Sequence, residues 1–316
     1  MKFLNLRILT RILIVTTSVL PAIAQSINPP TIPQTAPMND TEKNNLDLVL
    51  DWWREVIQGR HTELAEKYQA EDYIQHNPSV PTGRAAFIKF FNSLGPPINP
   101  IPTKLSPAPV VQGARGDFVW LIFEHVAKDP QDLSKTYYFY SFEVIRVQDG
   151  KVQEHWDAAK KMPNTPPFVA YNGAAPSKWN AGELSETEEH NLSVATEASK
   201  DMLQYWHPEL ADRLLDPGCV QHNPNIPQGR DGFKQGVRHI PGRAPQEIKP
   251  EWKNEPVLSL VDGPFVLFMW ERKDKDPAAP TQDYSWNLFD VVRIENGLIK
   301  EHWDEGQIAP PTAAAK

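Results

Sequence analysis

Tyr73-Ile74-Gln75-His76-Asn77-Pro78, followed by Pro81 and Gly83-Arg84, returns as Cys219-Val220-Gln221-His222-Asn223-Pro224 with Pro227 and Gly229-Arg230, so that His222 follows His76 by 146 residues. A second pair keeps the same order. Phe142-Glu143-Val144-Ile145-Arg146 with Gly150 and Glu154-His155-Trp156-Asp157 returns as Phe289-Asp290-Val291-Val292-Arg293 with Gly297 and Glu301-His302-Trp303-Asp304, at a spacing of 147. Two long matches in one order are not chance. The chain is one unit written twice, and such self-similarity decides the architecture before any local pattern does.

Each copy carries the same run of elements. Leu46, Val49, Leu50, Trp53, Val56 and Ile57 recur at helical spacing, which predicts an amphipathic helix over 41–58. A shorter helix is expected over His61–Gln69, and Asn77, preceding a proline, is pushed into extended backbone. Gly83-Arg84 opens a third helix with Phe87, Phe90, Phe91 and Leu94 on one face. Strands are expected over Leu105–Gln112, Asp117–Val126, Lys135–Val147 and Lys151–Ala158, with a tight turn at Asp149-Gly150. In the second copy Ser185 and Glu188 form a capping box, and Asn296-Gly297 makes the last hairpin turn. Helices followed by a run of strands predict an α+β fold.

The rest of the chain bounds the setting. Lys2, Arg7 and Arg11, an apolar run over 12–20 and Ala22-Ile23-Ala24 read as a secretory signal peptide over 1–24. A Pro- and Thr-rich tether is expected over 25–40, a domain over 41–159, a linker over 160–183, a second domain over 184–307 and a tail over 308–316. The expected location is therefore secreted or periplasmic. Losing the three leader cations takes the net charge from −8 to −11, which with no basic stripe argues against nucleic acid as a partner. No later stretch is long and apolar enough for a membrane-spanning helix. Cys219 is the only cysteine, so neither an intrachain disulfide nor a cysteine metal cluster is available.

Each copy resembles the SnoaL-like branch of the nuclear transport factor two-like superfamily, which includes polyketide cyclases and aldol-condensation enzymes. The likeness rests on Tyr73 to Pro78 with Gly83-Arg84 and on Gly150 to Asp157. It implies two tandem cone-shaped domains, each with helices on a curved antiparallel sheet. It also implies a pocket between helices and sheet, no cofactor, and an acid–base carboxylate on a late strand. Carried over by motif, that carboxylate is Asp157, with Asp304 in the second copy. His155 and His302 accompany it, and His76 and His222 join from the other motif. Tyr73, Tyr138, Tyr140, Trp120 and Asn77 are the candidate substrate contacts in copy one. Removing a proton next to a carbonyl needs a base within reach and a donor for the developing oxyanion, roles that a carboxylate and an imidazole can fill.

Three alternatives stay open at this stage. Strand periodicity places Val152 and Trp156 on one face and His155 and Asp157 on the other, and either face could be the inner one. With the tryptophan face outward, the two copies would pack sheet to sheet as a pseudo-dimer within the chain; self-association of whole chains is a further option. His76, His155 and Asp157 could instead form a two-histidine, one-carboxylate metal set, although none is expected. The copies differ where Tyr73, Tyr138, Tyr140 and His125 meet Cys219, Ser285, Asn287 and Arg272, so one copy has specialised or fallen silent, and copy one looks closer to the family pattern. The expected function is a cofactor-independent lyase or isomerase acting on a small carbonyl or polyketide-like molecule; the alternative is a non-catalytic binder of small molecules.

Overall fold

A computed structural model describes residues 35–162, 179–238, 240 and 242–310. The leader, residues 25–34 of the expected tether, most of the linker and residues 311–316 of the expected tail lie outside these residues. In the first half, α1 (Asp40–Trp52) starts at Asn39, whose side chain accepts from the Glu42 amide while Glu42 reaches back to the Asn39 amide. The helix continues as a wider π-helical stretch over Trp53–Gln58. A 3₁₀ turn (Thr62–Leu64) leads into α2 (Ala65–Tyr68), then β1 (Gln69–Gln75), α3 (Arg84–Ser93), β2 (Val111–Arg115), β3 (Phe118–Asp129), β4 (Asp132–Gln148) and β5 (Lys151–Asp157). The second half repeats this order with α4 (Glu186–Thr196), a π-helical stretch over Glu197–Gln204, α5 (Ala211–Leu214), β6 (Leu215–Gln221), α6 (Gly229–Arg238), β7 (Leu258–Asp262), β8 (Phe265–Asp276), β9 (Ala279–Glu295) and β10 (Leu298–Asp304).

The sheets have matching order, β1-β5-β4-β3-β2 and β6-β10-β9-β8-β7. Each is antiparallel except at one edge: β1 runs parallel to β5, and β6 to β10. The expectation of a wholly antiparallel sheet is corrected there, because the helix-to-strand crossover returns the first strand in the direction of the last. The strand expected over Leu105–Gln112 begins only at Val111, since the segment before it carries six prolines from 96 to 109, each without an amide to give a ladder.

A bulge resolves the choice of faces. Ladder register between β4 and β5 jumps from Val147↔Val152 to Arg146↔Glu154, leaving Gln153 unmatched, and β9 and β10 repeat the jump between Ile299 and Glu301. One extra residue reverses the alternation. Val152 therefore packs beneath the helices with Val49, Trp52, Tyr73 and Ile145, while Trp156 points to the other side. The premise that Val152 and Trp156 share a face fails, and both apolar residues are buried.

Trp156 and Trp303 belong to a third core, formed where the outer faces of the two sheets meet. Phe142 and Phe289, equivalent residues of the two copies, stack with ring centroids 5.8 Å apart at 8°. Equivalent residues touching each other mark a two-fold relationship between the halves, as in an isologous dimer. Trp120 reaches across to give its indole N–H to Asp262 at 2.9 Å, over Gly113, where even a methyl group would collide with that carboxylate and ring.

Candidate functional site

The inner face of each sheet carries the same polar constellation. In copy one, β5 places His155 opposite Ile145 of β4 and turns its ring toward the helices. His155 Nε2 lies 2.7 Å from Glu143 Oε2, and its Nδ1 lies 3.1 Å from Gln75 Nε2. Gln75 also donates to the Tyr73 hydroxyl at 2.9 Å, and its carbonyl accepts the Asn77 amide. Asn77 Nδ2 in turn donates to Asp157 at 2.8 Å. Burial pushes Glu143 up to about 7, restrained by His155; burial opposes charge on His155, but the Glu143 carboxylate outweighs it and raises the imidazole.

Copy two rebuilds this set with one change of length, Asp290 for Glu143. His302 Nδ1 lies 2.7 Å from Gln221 Oε1, and its Nε2 lies 2.9 Å from Asp290 and 3.8 Å from Asp304. Asn223 donates to Asp304 Oδ2 at 2.8 Å, and the Gly306 amide donates to Oδ1 at 2.7 Å. Burial works against a charge on His302, yet Asp290 and then Asp304 beside it drive the imidazole up to about 9. Glu305, one residue further, is pushed up to about 8 by burial and by the Asp304 charge. The site thus sets a raised imidazole and a raised carboxyl group side by side. Sequence reasoning missed Glu305 and Asp290. Both stand where the repeat is broken, against Ala158 and Glu143, and that departure was the available signal.

The second constellation lines an open hollow. A cavity of about 390 Å³ is bounded by Ser199 and Leu203 from the helix, Trp270, Arg272 and Leu288 from the sheet, and Asn223, Asp290, Asp304 and Glu305 at its polar end. The helices show why. Asn45 and Asn191 make the same bond, from each amide to the carbonyl of Gly116 or Gly263, and so fix the alignment of α1 with α4. Trp52 then corresponds to Ala198 and Trp53 to Ser199. In copy one both indoles stand edge-on to His155, with centroids 5.9 and 5.7 Å away, and Trp53 also stacks on Phe123 at 5.4 Å. The space left free in copy two is filled in copy one by two indoles. Copy one, closer to the family pattern in its motif residues, is thus the copy whose inner space is closed.

Other candidates lie elsewhere. His76 and His222 sit on the outer face, against the expectation of a catalytic place. Each ring stacks on a tryptophan, His76 on Trp156 at 4.4 Å and His222 on Trp303 at 4.3 Å, and each Nε2 contacts a glutamate, Glu154 or Glu301, at 3.0 Å. They brace the sheet-to-sheet interface. Tyr140 joins them, giving its hydroxyl hydrogen to Glu124 at 2.8 Å beside His222 Nδ1 at 3.2 Å. Trp120 is part of that interface and Tyr138 is exposed, so neither reaches the inner face; Tyr73 does, fully buried, and Asn77 serves to hold Asp157. Arg84 and Arg230 bond the backbone carbonyls of Gln69 and Asp212. The metal set His76, His155 and Asp157 is not assembled, since His76 is on the far face. Glu143, His155 and Asp157 do bring ligand atoms within 4.8 Å of one another, but each already holds a partner named above.

Residues 198–302 match the sequence family of the SnoaL-like domain. The second half is a SnoaL-like domain. Among solved structures, the chain is similar to TsrD from Streptomyces laurentii, with 21% identity over 39% of this chain and 90% of that one (TM-score 0.25). An LEH-like epoxide hydrolase from M. tuberculosis shares 18% identity over 37% and 82% of the two chains (TM-score 0.27). A candidate polyketide cyclase from Acidithiobacillus ferrooxidans shares 17% over 39% and 89% (TM-score 0.26). No curated protein matches the chain. No helix of the described residues is long and apolar enough to cross a membrane.

Proposed function

We propose that the SnoaL-like second half is the working site and performs cofactor-independent acid–base chemistry, as a lyase or isomerase, on a small carbonyl compound. One observation carries this reading: a single cavity presents the Asp304 carboxyl group, aligned by Asn223 and Gly306, beside Glu305, whose acid burial pushes up to about 8. Asp304 removes a proton from the carbon next to the carbonyl, and the electron pair moves onto the carbonyl oxygen. Glu305 donates to that oxygen, and the carbonyl re-forms as the enol O–H proton goes back to Glu305 and Asp304 returns its proton to the α carbon or, in an unsaturated substrate, to the γ carbon, which shifts the double bond. His302, charged and held by Gln221 and Asp290, positions Asp304 from below. Export is part of the proposal on the pattern of residues 1–24 alone.

The second reading is a binding protein that uses the apolar wall of Leu203, Trp270 and Leu288 without turnover. Exchange of α-protons for deuterium in small ketones, followed by NMR, separates the two. The acid–base reading expects Asp304→Asn to lower exchange by about 10²–10⁴-fold with the melting temperature nearly unchanged. Undiminished exchange in that variant would leave only binding.

A further inference from the structure

Of the charged side chains that line this cavity, Asp290, Asp304 and Glu305 each hold a partner, and Arg272 has none among the described residues. Its strand, β8, sends Phe268 and Trp270 under the helices, and Arg272 follows on the same face and lines the hollow. Its equivalent in copy one, His125, is well occupied: Nε2 lies 2.8 Å from Ser141 Oγ and the ring stacks on Phe139. Copy two has Leu288 in place of Ser141, which offers nothing polar, and among the described residues no carboxylate or carbonyl pairs with Arg272. The adjacent acids are spoken for: Asp274 by Lys160 at 3.3 Å, and Glu271, on the opposite face, by Ser285.

We infer that Arg272 anchors an anionic group of the substrate, so that the ligand is a carboxylate-bearing carbonyl compound with an apolar body. This deepens the acid–base reading and rests on it. Charge favours it: Arg272 and His302, the latter driven up to about 9, stand at a site whose Glu305 acid is pushed up to about 8, so a ligand carboxylate meets a countercharge there. The register sets the shape of the ligand. Asp304 faces Asp290 across β10 and β9, Asp290 faces Phe268, and Arg272 lies four residues further along β8, about 13 Å at the usual strand rise. The long arginine side chain covers part of that distance. Several bonds must therefore separate the anion from the carbon that loses its proton, with Trp270 and Leu288 flanking the chain between them.

The test uses 5-oxo-5-phenylpentanoate and its uncharged primary amide as matched probes on the full chain, with affinity measured by calorimetry. The carboxylate is expected to bind about tenfold more tightly than the amide, a margin suited to a charge-assisted hydrogen-bonded pair. Arg272→Gln should bring the carboxylate down to the level of the amide and leave the amide unchanged; Arg272→Lys should restore part of the margin. Equal binding of the two probes, a margin that survives Arg272→Gln, or no carboxylate binding at millimolar concentration would overturn the anchor. Deuterium exchange at C4 of the bound carboxylate reads the other claim. If charge discrimination holds but Asp304→Asn leaves exchange untouched, the anchor stands and the acid–base function falls.

Discussion

Asp157 and Asp304 occupy equivalent positions and take the same asparagine bond, yet their surroundings assign them different work. Asp304 opens on a cavity; His155, two residues before Asp157, is walled in by two indoles. Asp157→Asn should therefore leave α-proton exchange within about twofold of wild type, although the family motif alone makes the two residues interchangeable. Glu305 gives a second expectation. With its acid pushed up to about 8, exchange should fall as pH rises through that value, and Glu305→Gln should remove this limb of the profile. Stability follows the same direction. Glu305 and His302 both have folded values above their ordinary 4.5 and 6.5, so their contribution is complete below those values and is lost as pH rises through about 8 and about 9. Urea unfolding at stepped pH should show this decline. The motif residues of both strands were legible in the sequence because duplication printed them twice; Glu305 was not, because nothing repeats it.

At the scale of elements, the π-helical stretches after α1 and α4 hold Trp53 and Ser199 over their respective sheets. One stretch closes a hollow that the other leaves open. Trp53→Ser should cost roughly 3 kcal/mol, the range for emptying a packed aromatic site, measured as the shift in urea midpoint. Helices and most strands could be read from periodicity and turn residues. The bulges at β5 and β10 could not: period-two reading assumes an unbroken alternation, and each bulge breaks it inside the motif that mattered. Nor could the parallel edge pairing be read, since it depends on where the crossover returns the chain. The plug itself required the fold, because Trp52 and Trp53 read equally well as any apolar helix face.

Across the whole molecule, the shared core between the sheets couples the halves. Trp156 is buried against Phe118 and Trp179, with His76 stacked on its ring. Trp156→Ala should destabilise the chain by about 3–5 kcal/mol, with both halves unfolding in one transition rather than two. The doubled architecture thus keeps copy one as a closed partner whose outer face supports the sheet on which copy two builds its cavity. The most direct measurement of this asymmetry is ligand stoichiometry by native mass spectrometry with 5-oxo-5-phenylpentanoate. One bound molecule per chain, lost in Ser199→Trp and retained in Asp157→Asn, is the predicted result. Two molecules per wild-type chain, or one that persists when Ser199 is replaced by tryptophan, would contradict it.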